Sequence, residues 1–210
     1  MNCIKMSLEK NEKCLEFGAS RFWGVPDVFE GFAWPYYIES GDQYDLSFLC
    51  QINLEDISRC DKDKMLPKKG MLYFFYDLES MADSTIEPNS CRVIYYDGDV
   101  DCLKPYEGDH DHIMKDIYSP LFISFERADD DEDDVVDGDP HKMLGYEILQ
   151  LEDFVDEMIE DWIPLLQVKS FLGEDFEVEF GDLGILTFYI DEDDLGKCNF
   201  SRVRTCIVSE

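Results

Sequence analysis

The strongest constraint on the fold is a pattern that occurs twice. Leu46-Ser-Phe-Leu-Cys-Gln51, a strand-length run with an amide at its end, leads after a polar excursion to Gly70-Met-Leu-Tyr-Phe-Phe-Tyr-Asp77. Pro164-Leu-Leu-Gln167 leads, after an excursion of about the same length, to Gly184-Ile-Leu-Thr-Phe-Tyr-Ile-Asp191. Runs of aromatic and aliphatic residues opened by Gly and closed by Asp suit strands, because bulky side chains pack well on a pleated surface. Two readings are open: a duplicated strand pair, or a chance match between two amphipathic hairpins. Under the first, the 210 residues form a single domain of two structural repeats, about 18–127 and 140–210, joined by an acidic loop at 128–139. A groove between the copies is then the natural place for a ligand.

Around this frame, further strand signals fall at 92–96, 117–126 and 202–208. Residues 4–17 have a helix-compatible composition with a ragged apolar stripe (Ile4, Leu8, Leu15), which predicts a short N-terminal helix. Residues 18–37 contain too many Gly and Pro for a regular element, yet carry large aromatics that need burial, and so predict an ordered, packed loop. Leu151, Phe154, Val155, Met158, Ile159 and Trp162 share one face at a period of 3.6, with acids opposite, and predict an amphipathic helix over 151–162 that Pro164 limits. Helices and strands mix without the regular alternation of a doubly wound sheet. The expected class is therefore α+β, with largely antiparallel sheets.

Charge narrows the partners. Asp and Glu number 49 against 18 Lys and Arg, a formal charge of −31. Binding to a phosphate backbone is driven by cations, so direct nucleic-acid binding is excluded, and anionic membranes are repelled. A basic protein fits the field, since complementary charge accelerates association. The acidic clusters at 129–134 and along Glu152, Asp153, Asp156, Glu157, Glu160 and Asp161 would supply the contact. The competing reading is that the acidity serves solubility. The mixed Lys/Glu start lacks the apolar core of a secretory signal, and no apolar run approaches the roughly 20 residues that span a bilayer, which predicts a cytoplasmic protein. Its eight cysteines contain no CxxC pair and read as reduced core or surface thiols.

Few residues nominate chemistry. Asp109-His110-Asp111-His112 places two imidazoles on one side of an extended segment, a geometry that suits a divalent transition metal, but no third ligand is fixed and a polar loop is the alternative. Asp97, Asp99 and Asp101 alternate as in a calcium loop, yet Cys102 and Gly108 stand where Gly and Glu are needed. Nucleophile-elbow, phosphate-loop, zinc-protease and dinucleotide motifs are missing, and no cofactor is expected. Gln51 and Gln167 sit within apolar strands, where a buried amide must find partners. With Arg21, Trp34 and Asp182 they form either a fold-specifying hydrogen-bond network or the lining of a small polar pocket. His141 joins the pocket candidates.

Taken in order, several motifs resemble the YwqG-like family of bacterial domains of unknown function. They are Ser20-Arg-Phe-Trp-Gly-Val-Pro-Asp27, Gly31-Phe-Ala-Trp-Pro35, Leu46-Ser-Phe-Leu-Cys-Gln-Ile-Asn-Leu54, Leu66-Pro-Lys-Lys-Gly-Met-Leu-Tyr-Phe-Phe-Tyr76 and Arg92-Val-Ile-Tyr-Tyr-Asp97. The second half adds His141-Lys-Met-Leu-Gly-Tyr146, Leu165-Leu-Gln167, Gly181-Asp-Leu-Gly-Ile-Leu-Thr-Phe-Tyr-Ile190 and Asn199-Phe-Ser-Arg202. Trp23-Gly24 departs from the usual Gly-Gly, and Glu147 from the usual Pro. The resemblance implies an α+β domain without accepted catalytic residues, some of whose relatives occur near toxin systems. Together these features predict a non-catalytic binding protein, for a basic partner such as a toxin. The alternative is an enzyme or small-molecule sensor with its pocket between the repeats.

Overall fold

The computed structural model describes residues 2–79, 90–108, 119–129, 141–148, 162–172 and 177–208. The expected 151–162 helix lies outside them, except for Trp162, as do His110, His112 and the acidic residues 130–139. Among these residues, sixteen strands run in chain order. The first eight are β1 (Asn2–Glu9), β2 (Arg21–Phe22), β3 (Asp27–Val28), β4 (Tyr36–Glu39), β5 (Asp42–Asp45), β6 (Ser47–Asn53), β7 (Met71–Tyr76) and β8 (Cys91–Tyr96). Then come β9 (Lys104–Pro105), β10 (Leu121–Asp129), β11 (His141–Leu144), β12 (Trp162–Lys169), β13 (Phe171–Leu172), β14 (Glu177–Val178), β15 (Ile185–Asp191) and β16 (Arg204–Val208). Among the described residues two short α-helices, α1 (Leu54–Ile57) and α2 (Glu192–Gly196), follow β6 and β15.

Ten of the strands form one antiparallel sheet in the order β16-β15-β12-β11-β1-β10-β2-β6-β7-β8, curled into a nearly closed barrel. This corrects the expected α+β fold with an N-terminal helix. Residues 2–9 form not a helix but a central strand, paired with β10 from Asn2↔Asp129 to Glu9↔Phe122 and with β11. Ile4, Met6 and Leu8 alternate with Lys5 and Ser7, and that period of two matches the pleat. Pairing on both sides overrides the helix propensity of the Lys and Glu residues between.

The sheet's two ends meet. Ser90 Oγ lies 2.7 Å from Thr205 Oγ1, the Cys91 thiol donates to Val203 O, and the Tyr95 ring packs edge-on against Phe200 at 5.6 Å. Inside, Ile4, Phe74, Ile123, Leu166 and Phe188 belong to one apolar cluster drawn from both halves. The even-numbered residues of β7 face this interior. Its odd-numbered residues, Met71, Tyr73 and Phe75, face outward into a second cluster covered by Phe29, Phe32, Trp34 and Tyr37. The Gly- and Pro-rich loop is thus packed, as its aromatics predict. β7 begins where the chain has no room to spare: Gly70 has φ +98°, and any Cβ there would collide with the backbone oxygen of Tyr96.

The two halves match in detail. β2-β6-β7-β8 and β11-β12-β15-β16 run outward in the same order from the β10–β1 pair. Each inner strand ends in a left-handed pair, Trp23-Gly24 (φ 58° and 76°) and Leu144-Gly145 (φ 58° and 84°). β6 and β12 each change register two residues before their glutamine, between Phe48 and Cys50 and between Pro164 and Leu166. Pro164 has no N–H to give, and a bulge tolerates that loss.

Candidate functional site

The candidate residues fall at five places. Arg21 and Gln51 are cross-strand neighbours on β2 and β6, and both reach Asp27, which the sequence did not nominate. Asp27 Oδ2 accepts from Arg21 Nη2 at 2.8 Å, from the Gly18 amide at 2.9 Å and from Gln51 Nε2 at 3.1 Å. Gln51 also donates to Ala19 O and accepts from the Asp27 amide at 2.8 Å each. Arg21 Nη2 donates to Val25 O, and Tyr73 OH donates to Asp27 O. All four side chains are buried. Burial, followed by the nearby Asp27 charge, raises the pKa of the Tyr73 phenol, so it stays a donor.

Gln167 makes the corresponding bonds in the second half. It accepts from the Ile148 amide and donates to Tyr146 O, both at 2.9 Å. Lys142 and Ile148 occupy the places of Arg21 and Asp27, so an apolar side chain stands where the first network has its carboxylate. Four strands separate the glutamines in the sheet order. Trp34 lies on the outer aromatic cluster and donates its indole N–H to Leu46 O. Asp182 is exposed in the turn before β15.

His141 stands apart. Its imidazole is buried beside the Phe171 ring, and neither ring nitrogen has a hydrogen-bond partner among the described residues. Burial lowers its pKa from 6.5 to about 4. The unfolded chain therefore takes up a proton that the native state refuses. Stability contributed by the neutral ring is full above pH 6.5, falls as the pH drops, and is lost below about 4. The expected difference is roughly 3 kcal/mol, since one unit is worth about 1.4 kcal/mol. Denaturant titrations at pH 7 and pH 4 should show that loss shrink by this amount in His141→Phe; an unchanged difference would contradict the assignment.

Outside the barrel, β4 and β5 form a hairpin around Ser40-Gly41, both with positive φ, as a two-residue hairpin turn requires. Tyr37 and Tyr44 stack on one face at 5.3 Å, and Tyr37 OH donates to Asp77. The opposite face presents Tyr36, 46% exposed, and Ile38, 65% exposed, with Asp45 across from Tyr36. Glu39 and Asp42 flank the turn.

Among the described residues no three His, Cys, Asp or Glu side chains gather as a metal site. Burial raises the thiol pKa values of Cys50 and Cys91, the latter to about 11, which keeps both protonated and poor nucleophiles at neutral pH. No helix among the described residues is long and apolar enough to cross a membrane.

The motifs that meet in the two glutamine networks lie within residues 20–207, and a domain of unknown function, DUF1963, matches that same span. The chain belongs to the DUF1963 family. No curated protein matches it. The DUF1963 region begins at Ser20, on the edge of the Arg21–Asp27–Gln51 network, and ends in β16 at the barrel seam. It thus takes in nine of the ten barrel strands, and β1 alone precedes it.

Proposed function

We propose that this DUF1963 protein, of the YwqG kind, is a cytoplasmic binding protein that takes up a basic protein partner, such as a cationic toxin domain, on the β4–β5 hairpin. The observation that carries this reading is the outward face of the hairpin. Ile38 and Tyr36 are among the most exposed large apolar side chains, Gln43 and Asp45 share their face, and Glu39 and Asp42 pair beside them at the turn. An apolar centre with a polar rim is the usual anatomy of a protein interface, and tyrosine is enriched there. The net charge of −31 draws a cationic partner toward that face. The hairpin is tied to the barrel through Tyr37 and Asp77, so little conformational freedom is lost on binding.

The matching halves support a second element of the proposal, that the barrel arose by duplication of one four-strand unit. The hairpin lies between β2 and β6 of the first unit. Affinity capture with the full chain tests the function. At low salt the unmodified protein should retain a basic protein that high salt releases, and Tyr36→Ala/Ile38→Glu should lose it at least tenfold. Retention of the same proteins by the variant overturns the hairpin as the binding face.

A further inference from the structure

A second surface, independent of the hairpin, runs against the character of the whole chain. Five of the 18 Lys and Arg residues, Arg59, Lys62, Lys64, Lys68 and Lys69, lie within eleven positions that hold only two, Asp61 and Asp63, of the 49 acids. This segment follows α1 and walls a cleft of about 330 Å³, lined by Ile57, Ser58, Asp61, Lys64, Leu66, Pro67 and Lys68. The volume is at the lower end of what small-ligand pockets enclose.

The cleft is preformed. Asp61 is buried, and its two carboxylate oxygens accept from the amides of Met65 (3.1 Å) and Leu66 (2.8 Å), which closes the loop on itself. The Cys60 and Asp61 amides donate back to Ile57 O, and the Lys62 amide donates to Asn2 Oδ1, which ties the loop to β1. Lys64 sits at the crest with φ 57°, a conformation that costs a non-glycine residue energy and that the surrounding bonds impose.

The polar requirements of the walls are unequal. Asp61, the one acid in the lining, already spends both oxygens on amides. Ser58 Oγ donates to Glu55 O. Among the described residues, Lys64 and Lys68 have neither a hydrogen-bond nor an ion-pair partner, in a chain with more than two acids for every base. Lys64 and Lys68, both exposed, thus line the cleft together with Leu66 and Pro67.

We propose that this cleft binds a small organic anion, with its apolar body against Leu66 and Pro67 and its oxyanion, carboxylate or phosphate, between Lys64 and Lys68. The global field repels anions, so only a local inversion of charge can hold one, and screening within about 8 Å lets the local charges dominate at the cleft. Lysine acts there as a point charge that accepts either oxyanion geometry.

Amide NMR titration of the full chain with phenyl phosphate, benzoate, inorganic phosphate and benzyl alcohol tests the proposal. Saturable shifts at residues 57–68 are expected with phenyl phosphate or benzoate, at least tenfold tighter than with benzyl alcohol or inorganic phosphate. The stronger of the two organic anions identifies the oxyanion. Lys64→Gln/Lys68→Gln should weaken that binding at least tenfold, and Lys197→Gln, which breaks an exposed pair with Asp193 just past the end of α2, should leave it unchanged. Equal binding of benzyl alcohol, shifts scattered away from the cleft, or full affinity in the double Lys variant would overturn it.

Discussion

Asp27→Ala should lower the stability of the fold by about 3–5 kcal/mol, because it leaves the Arg21 guanidinium buried without its carboxylate. The side chains involved are enclosed, Arg21 at 5% exposure and Asp27 at 2%, so water cannot replace the lost partner. The Gly18 amide loses its acceptor at the same stroke, and Gln51 Nε2 keeps only Ala19 O. The loop carrying Phe29, Phe32 and Trp34 is anchored at Asp27, so its aromatic cover over β7 loosens as well. Arg21→Met/Asp27→Leu should cost less than Asp27→Ala alone, since removing both charges removes the unpaired one. Guanidinium unfolding of the three proteins measures this. A loss under 1 kcal/mol for Asp27→Ala, or a double variant worse than the single, would show that the pair does not hold the loop.

Phe188→Ala is expected to be as damaging, at about 3–5 kcal/mol, because it empties a fully buried ring site. Phe188 on β15 meets Phe74 on β7 edge-on at 5.3 Å, and Tyr76 at 6.4 Å. These rings join opposite arms of the sheet across the barrel, where no backbone ladder links them. A double-mutant cycle with Phe74→Leu and Phe188→Leu should return a coupling of about 0.5–1.5 kcal/mol, the range of edge-to-face pairs. Additive effects would mean that the arms are held together elsewhere.

Which elements the sequence revealed follows from how local their causes are. β6, β7, β15 and β16 were legible because their residues alternate or run apolar under Gly, Pro and Asp boundaries, and a strand buried on both faces needs nothing else to declare itself. β1 was misread because Lys5, Ser7, Glu9 and Lys10 carry helix-compatible chemistry, although Ile4, Met6 and Leu8 kept the period of two. The β4–β5 hairpin had a readable signal in Ser40-Gly41 between two four-residue runs, which the Gly and Pro content of the preceding loop obscured. At the site, Gln51 and Gln167 could be picked out as amides stranded among apolar neighbours. Asp27 could not, because its importance arises only when the loop brings it 24 positions along the chain to Gln51. The cleft beside α1 was equally hidden: its lysines are common surface residues until the bonds of Asp61 shape them into a wall.

The place of β1 has a consequence for how the chain is made. A ribosome releases this strand before either of its partners exists, and the bond from Asn2 to Ala128 spans 126 positions. The β2-β6-β7-β8 arm can begin to assemble meanwhile, but its inner edge at β2 waits for β10. Until then a nascent strand with Ile4 and Met6 on one side stays open to whatever edge it meets, and chains dominated by such distant pairings fold slowly. Final closure therefore belongs to a late event, the insertion of β1 between β10 and β11.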